Sequence, residues 1–453
     1  MTNYKFCTKK NVMKKYILVF LVAIIFIACN KSSDYKKITH NPNLYAHTVH
    51  ALNEVVMGNN FSPIVASRNY AYAAIAGYEV TAAGNPKDYL SLVGQLKGYT
   101  NNVVPKDTSK IDFPFASILA YCMVGEAVTF PKGSLETYTD SLKTLVKAHG
   151  MPLDVLEATE AYAAAVSAEV IAWSKTDNYA KTRTSEKYTV RNIPGRWIPT
   201  PPMYAQAAEP HWAKIRTMTL DSASQFRPVA PPLFNITDKK SEYYTNVMMV
   251  KNAVDSLTEE QKHIANFWDD NPFKMNVEGH IMTSTKKFSP PGHWMSIVGI
   301  ANKTANERFE TVTYAYAKTA IALFDAFIHC WDAKYTYNTV RPETVINKYI
   351  DPNWRPLLQT PAFPEYTCGH STISSAAAEA LTSVYGDNFA YTDSSELEFG
   401  IANRNFTSFR QAADENNWAR FYGGLHYHNS CITSTTQGRL VGSWVVNHLK
   451  MKK

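Results

Sequence analysis

NERFETVTYAYAKTAIALFDAFIHCWD, residues 306–332, reads as one long helix. Its apolar residues recur on a helical period, not an alternating one. The same period continues to either side. Ser62-Pro63 opens a helix, with Ser as N-cap and Pro at the first position, and apolar residues recur from there to about Ala82. Further helices are predicted at about 114–128, 134–149 and 153–175, and another opens on the capping box Thr258-Glu-Glu-Gln261. Others follow at about 371–385, 394–413 and 431–449. Two stretches differ. Residues 187–236 are rich in proline and aromatics, and residues 271–293 mix Pro, Gly and His, so both read as long ordered loops. There is no run of alternating strands and no repeat of fixed period. The class is all-α, helix bundles joined by long ordered loops.

A chain of 453 residues with 45% hydrophobic content can bury a large core, and 27 Tyr and 9 Trp argue against disorder. The formal charge of +7 is misleading, because residues 1–28 hold Lys5, Lys9, Lys10, Lys14 and Lys15 and no acid, leaving +2 for the rest. A broad nucleic-acid face is therefore excluded, and any strong positive field must be local.

After that basic stretch come the apolar run Tyr16–Ala28 and then Cys29. The run is short for a membrane span and fits the core of a signal peptide. Ala28-Cys29 resembles a bacterial lipobox, although Phe26 stands where Leu is usual. The expected organisation is a signal peptide at 1–28 with Cys29 as lipid acceptor, a tether at 29–40, and one all-α domain at 41–453 whose motif region spans about 306–450. The protein is expected to be exported, a bacterial envelope lipoprotein whose membrane attachment is limited to that N-terminal lipid. Four further cysteines, Cys122, Cys330, Cys368 and Cys431, show no zinc-like spacing, and their spacing leaves a disulfide and buried free thiols both open. The oligomeric state is not legible.

The chemistry lies in three pieces: Lys334-Tyr-Thr-Tyr-Asn-Thr-Val-Arg341-Pro342, Thr367-Cys368-Gly369-His370 before a strong helix, and Arg420-Phe-Tyr-Gly-Gly-Leu-His426. Each alone is commonplace: a solvated Lys and Arg, a helix cap, a core histidine. Together they suit a tetrahedral oxyanion. Lys supplies a point charge and Arg a planar fork, Gly369 lets a backbone N–H approach, and the helix N-terminus adds a favourable dipole. Two histidines can divide the work of ligand or nucleophile and of proton transfer.

In order and internal spacing these pieces resemble the K-x6-R-P, P-S-G-H and S-R-x5-H-x3-D signature of type 2 phosphatidic-acid phosphatases and vanadium haloperoxidases. The specific resemblance covers about 331–430; loops 196–202 and 226–232 are similar to bacterial haloperoxidases less specifically. It implies that Lys334, Arg341, Arg420, Cys368 and the Gly369 N–H hold vanadate, that His426 is the axial vanadium ligand, and that His370 is the acid–base residue. It places Trp331 and Phe363 on the halide approach. Hydrogen peroxide and a halide would be the substrates. Phe363 stands where algal bromoperoxidases have His, and the exported, aromatic-rich chain is similar to bacterial iodoperoxidases, so iodide is favoured, bromide next.

Three departures stand out: Cys368 replaces the usual Ser, Ala419 the Ser before Arg420, and Ser430 the Asp that orients the ligand or nucleophilic histidine. His426 therefore needs another partner, which the pattern does not name. Two rival readings use the same residues. One is an acid phosphatase with a phosphohistidine at His426, against which stand Trp331, Phe363 and the lack of an 18-residue apolar run after the leader. The other is a non-catalytic oxyanion-binding lipoprotein. His293 and His428 are either neighbours of the site or structural.

Overall fold

A computed structural model describes residues 34–272, 274–278 and 280–453. The expected leader and lipid acceptor, with Cys7 and Cys29, lie outside the described residues. The helices among them are α1 (Asp34–Thr39), α2 (Pro42–Gly58), α3 (Pro63–Gly84), α4 (Phe113–Val128), α5 (Glu136–Ala148), α6 (Leu153–Ser174), α7 (Tyr179–Arg183), α8 (Glu242–Asp255), α9 (Glu259–Phe267), α10 (Pro290–Ala305), α11 (Phe309–Tyr337), α12 (Pro342–Tyr349), α13 (Gly369–Tyr385), α14 (Phe409–Tyr422) and α15 (His428–His448). The expected tether runs into α1, where buried Tyr35 and Thr39 already belong to the body, Thr39 through a hydrogen bond from its hydroxyl to Asp112.

The opening stretch is the axis of the molecule. Helix α11 is 29 residues long, buried along nearly its whole length, and packs against α3 on one side and α13 and α15 on the other. A helix buried on every face must be apolar or internally paired all round. Helix α3 meets that condition: Ile64 to Ala82 are all buried, with small alanines between the tyrosines. Its charged Arg68 pairs with Asp177 at 2.7 Å, and its Glu79 accepts from the Leu92 N–H and the Ser91 hydroxyl. Helices α4 and α6 complete the bundle around α3, and α14 completes the one around α13. One continuous core runs from Tyr35 to Met451. No helix among the described residues is long and apolar enough to cross a membrane.

The caps read from sequence form as expected: Ser62 accepts from the Val65 N–H, and Thr258 and Gln261 close a reciprocal capping box. Residues 184–241 form the expected long loop, broken by a single 3-10 turn at Trp212–Lys214. Buried Asp325 of α11 holds it down by accepting from the backbone N–H groups of Met218, Thr219 and Leu220 and from the Thr219 hydroxyl.

Two expectations change. The 271–293 loop contains an antiparallel hairpin, β1 (Lys274–Glu278) with β2 (Ile281–Thr285), before α10 begins. The helix expected at 394–413 forms only from Phe409. Before it, β3 (Tyr391–Asp393) pairs with β4 (Arg404–Phe406). The reason is local: Asp393 accepts from the Ser395 N–H and hydroxyl and bends the chain, Gly400 is left-handed at φ 76°, and Ser408 caps the real helix through the Gln411 N–H.

Helices α13 and α15 lie unusually close. A Cβ added at Gly442 would stand 2.7 Å from the Ala376 carbonyl oxygen, and one at Gly438 would meet that of Thr372. These two glycines let the middle of α15 sit against the first half of α13, beside the motif residues Cys368–His370.

Candidate active site

Lys334 sits on the last turn of α11, which ends at Asn338 in the left-handed conformation. Three residues later Arg341 is the N-cap of α12, with Pro342 pre-set for its first turn. Cys368 is the N-cap of α13, which begins at Gly369. Arg420 lies in the last turn of α14, and His426 in the short turn before α15. All three cations are buried, with Lys334 and Arg341 fully enclosed and Arg420 2% exposed.

Their partners are carbonyls, not carboxylates. Lys334 Nζ donates to the backbone oxygens of Pro364 (2.8 Å), Glu365 (3.1 Å) and Thr367. Arg341 donates from Nε to Phe363 O and from Nη1 to Leu425 O, both at 2.9 Å. Arg420 Nη1 donates to the carbonyls of Trp268 (3.2 Å) and Asp269 (3.3 Å). Arg341 Nη2, Arg420 Nε and His370 Nε2 are buried without a hydrogen-bond partner. Burial pushes the Lys334 ammonium down to about 8 and Arg341 down to about 10. Lys334 departs from the simple expectation: its three protons are all taken by the 364–367 segment, so it shapes that segment and would exchange one carbonyl to reach an anion.

His426 is oriented by a residue that sequence reasoning missed. Its Nδ1 lies 3.0 Å from Oε1 of Glu365, which is 1% exposed. The same carboxylate accepts from the Tyr427 N–H (3.2 Å) and from the Ser430 hydroxyl (3.1 Å). Glu365 therefore does from the α13 side what the absent Asp at 430 would have done, and Ser430 steadies it. A proton held on Nδ1 leaves the Nε2 lone pair, 2.9 Å from Arg341 Nη1, as the acceptor. The available signal was a lone carboxylate in Phe363-Pro-Glu365-Tyr-Thr-Cys368, five residues before His370.

Cys368 is fully buried, with its N–H donated to Ser434 Oγ at 2.7 Å and its thiol against Cys431 and His426. Burial opposes its ionisation, and the hydrogen bond from Cys431 and the neighbouring His426 favour it. All four cysteines among the described residues are free and buried, so of the two readings open in the sequence the structure has buried thiols. His370 is held well below the usual imidazole value, by burial first and the Arg420 charge second, and is neutral at ordinary pH.

A cavity of about 370 Å³ opens onto His370, Arg420 and Phe363, with Ile64, Pro201, Met203, Met275 and Asp270 among its walls. Phe363 packs against Trp331 with ring centres 5.0 Å apart and the planes tilted by 56°, and Lys334 faces both rings, 4.8 Å from Phe363 and 5.6 Å from Trp331. His428 lies apart, against Trp418 at 4.7 Å, and is structural. His293 is held between Asp270 and Asp393.

Residues 314–452 match the family model described as the VCPO second helical-bundle domain. No curated protein sequence matches the chain. Among solved structures, the chain is similar to a bacterial vanadium-dependent iodoperoxidase, with 41% identity, 90% of this chain and 97% of that chain covered, and a TM-score of 0.85. It is also similar to holo-type bacterial vanadium-dependent chloroperoxidase at 16% identity, covering 93% of this chain and 97% of that one, with a TM-score of 0.65. The apo-type chloroperoxidase gives 17% identity, 86% and 95% coverage, and a TM-score of 0.61. At those two identities the likeness shows the fold alone.

Proposed function

The chain belongs to the vanadium-dependent haloperoxidases, and from that premise we propose that it oxidises a halide with hydrogen peroxide at a vanadate held between Lys334, Arg341, Arg420 and His426, with iodide favoured and bromide next. One observation carries the assignment of the site: three buried cations meet carbonyls and not carboxylates, and unpartnered nitrogens of Arg341, Arg420 and His370 remain beside them. Buried cations with no carboxylate in hydrogen-bond contact are costly to desolvate, by about several kcal/mol each, and a bound oxyanion would offset part of that. The donor set fits vanadate. The two guanidinium forks, the Gly369 N–H and Cys368 would hold its oxygens, and His426 Nε2 would ligate vanadium.

When bound, vanadate supplies a Lewis-acidic vanadium(V) centre that polarises peroxide without transferring electrons itself. The chain's own residues do the rest. Glu365 fixes the Nδ1–H tautomer of His426, so that Nε2 presents its lone pair. Neutral His370 can take the first proton from incoming peroxide at its unpartnered Nε2. Lys334 and the guanidiniums, all buried, stabilise developing negative charge where the surroundings screen it weakly. Phe363, which lines the cavity and is backed by Trp331, gives the halide a low-polarity approach and offers no hydrogen bond, which suits the most easily oxidised halide.

The leader belongs to the same proposal. The lysine-rich stretch, the apolar run Tyr16–Ala28 and Cys29 support export as a bacterial envelope lipoprotein lipidated at Cys29. Labelled fatty acid should be incorporated by the native chain and not by Cys29→Ser; equal labelling would end that reading.

The deciding experiment measures vanadium bound by reconstituted protein, together with peroxide-dependent oxidation of iodide, bromide and chloride. One vanadium per chain and vanadate-dependent oxidation in the order iodide, bromide, chloride are expected. Absence of bound vanadium sinks the proposal. The phosphatase and non-catalytic readings have no observation in their favour, and hydrolysis of a chromogenic phosphate should stay at background.

A further inference from the structure

Behind Arg420 lies a second buried cluster that the halide chemistry does not use. His293 stands in the first turn of α10, fully enclosed. Its Nδ1 is 2.9 Å from Asp270 Oδ1 and 3.8 Å from Glu396 Oε1, and its Nε2 is 3.0 Å from Asp393 Oδ2. All three carboxylates are within 1% of complete burial. Both oxygens of Glu396 and Oδ2 of Asp270 have no hydrogen-bond partner. One atom each of Asp270, His293 and Glu396 lie within 4.8 Å of one another.

We propose that Asp270, His293 and Glu396 bind one divalent cation of borderline hardness, Mn²⁺ or Zn²⁺, with Asp393 positioning the imidazole from its far side. A cation about 2.1 Å from each ligand sets neighbouring ligand atoms roughly 3.0–3.5 Å apart. The 2.9 and 3.8 Å separations at His293 Nδ1 bracket that range. A metal-bound histidine almost always gives its other N–H to a carboxylate, a backbone carbonyl or water. Asp393 accepts it, and Asp393 is itself fixed by the Ser395 N–H (3.0 Å) and hydroxyl (2.6 Å). Mixed imidazole and carboxylate donors select Mn²⁺ or Zn²⁺ over Ca²⁺ or a thiolate metal. The buried ammonium of Lys287 acts on Glu396 through space.

The site is joined to the vanadate pocket by three consecutive residues. The Trp268 indole stacks on His293 at 4.6 Å, the carbonyls of Trp268 and Asp269 accept from Arg420, and Asp270 lines the cavity. An ion at Asp270 would hold this segment, and through it Arg420.

The test uses tag-free protein stripped with a chelator and free of vanadate. Mn²⁺ is titrated by electron paramagnetic resonance, because buried thiols do not retain it, and Zn²⁺ by equilibrium dialysis with metal analysis. One ion per chain, a rise of several degrees in Tm, and at least tenfold weaker binding in the isosteric Glu396→Gln and Asp270→Asn variants are expected. Native protein that binds neither ion stoichiometrically, or binding unchanged in both variants, overturns the proposal. Circular dichroism of each variant separates loss of the site from loss of the fold, and native-chain stoichiometry decides the matter alone if both variants unfold.

Discussion

The Nδ1 of His426 is held 3.0 Å from Glu365, a carboxylate 61 residues away in sequence that also accepts the Ser430 hydroxyl. A ligating imidazole needs one tautomer and one ring orientation, and a buried carboxylate on the far nitrogen fixes both. Glu365→Gln keeps the shape but removes the charge, so vanadate affinity or halide turnover is expected to fall about 10–100-fold. Vanadate titration measures the first and steady-state iodide oxidation the second, with unchanged circular dichroism as control. Wild-type affinity and rate in the variant would show that Glu365 serves only packing.

Cys368 stands where a hydroxyl is usual, with its thiol buried against Cys431 and His426. A thiol beside bound peroxide is open to stepwise oxidation. Cys368→Ser is expected to keep vanadate binding within about threefold, since a hydroxyl is the better donor, and to extend the number of turnovers before inactivation several-fold. Progress curves at high peroxide measure this, and mass spectrometry should find sulfinic or sulfonic acid at Cys368 of the spent native enzyme alone.

The parts of this site that were legible are those whose spacing is fixed by one helix or one turn. Trp331 and Lys334 share a face of α11, Arg341 follows the left-handed stop at Asn338, and Gly369 opens α13. Glu365 was not legible as His426's partner, because nothing local in 364–368 says which histidine folds against it. The carbonyls of Trp268 and Asp269 that hold Arg420 escaped for the same reason, with more than 150 residues between donor and acceptor. Helix periodicity placed most of the fold, yet failed at 394–408. There a stretch rich in Ser and Asn is turned by the Asp393–Ser395 contact and by Gly400. Tertiary pairing of β3 with β4 then overrides propensity.

Lys334 predicts a pH dependence. Burial lowers its folded value from 10.5 to about 8. The unfolded chain therefore binds the extra proton between about 8 and 10.5, so this group makes stability rise across that window as the penalty of a buried charge is relieved. Anion binding runs the other way, because it needs the charge that is lost as pH passes about 8. The vanadate dissociation constant should rise more steeply between pH 7 and 9 in native protein than in Lys334→Gln, since ionisation of vanadate itself is common to both. Parallel slopes would mean that Lys334 does not titrate there.

The approach of α15 to α13 predicts a stability effect at a residue that touches no ligand. A methyl at Gly438 would fall 2.8 Å from Ser375 Cβ and nearer still to the Thr372 carbonyl oxygen. Backbone on one side and a short side chain on the other leave nothing flexible to give way. Gly438→Ala is therefore expected to cost about 1–3 kcal/mol despite its better helix propensity, read as a lower Tm. The strain would not stay local. Thr372 returns its N–H (3.1 Å) and hydroxyl (2.9 Å) to the Cys368 carbonyl, so displacing that turn moves the residues that start α13 and weakens vanadate binding as well. Gly58→Ala is the control, because nothing lies within 4 Å of a Cβ there and its backbone is ordinary helix. It should change stability by less than about 0.5 kcal/mol, and equal Tm losses in the two variants would remove the close helix approach as the cause.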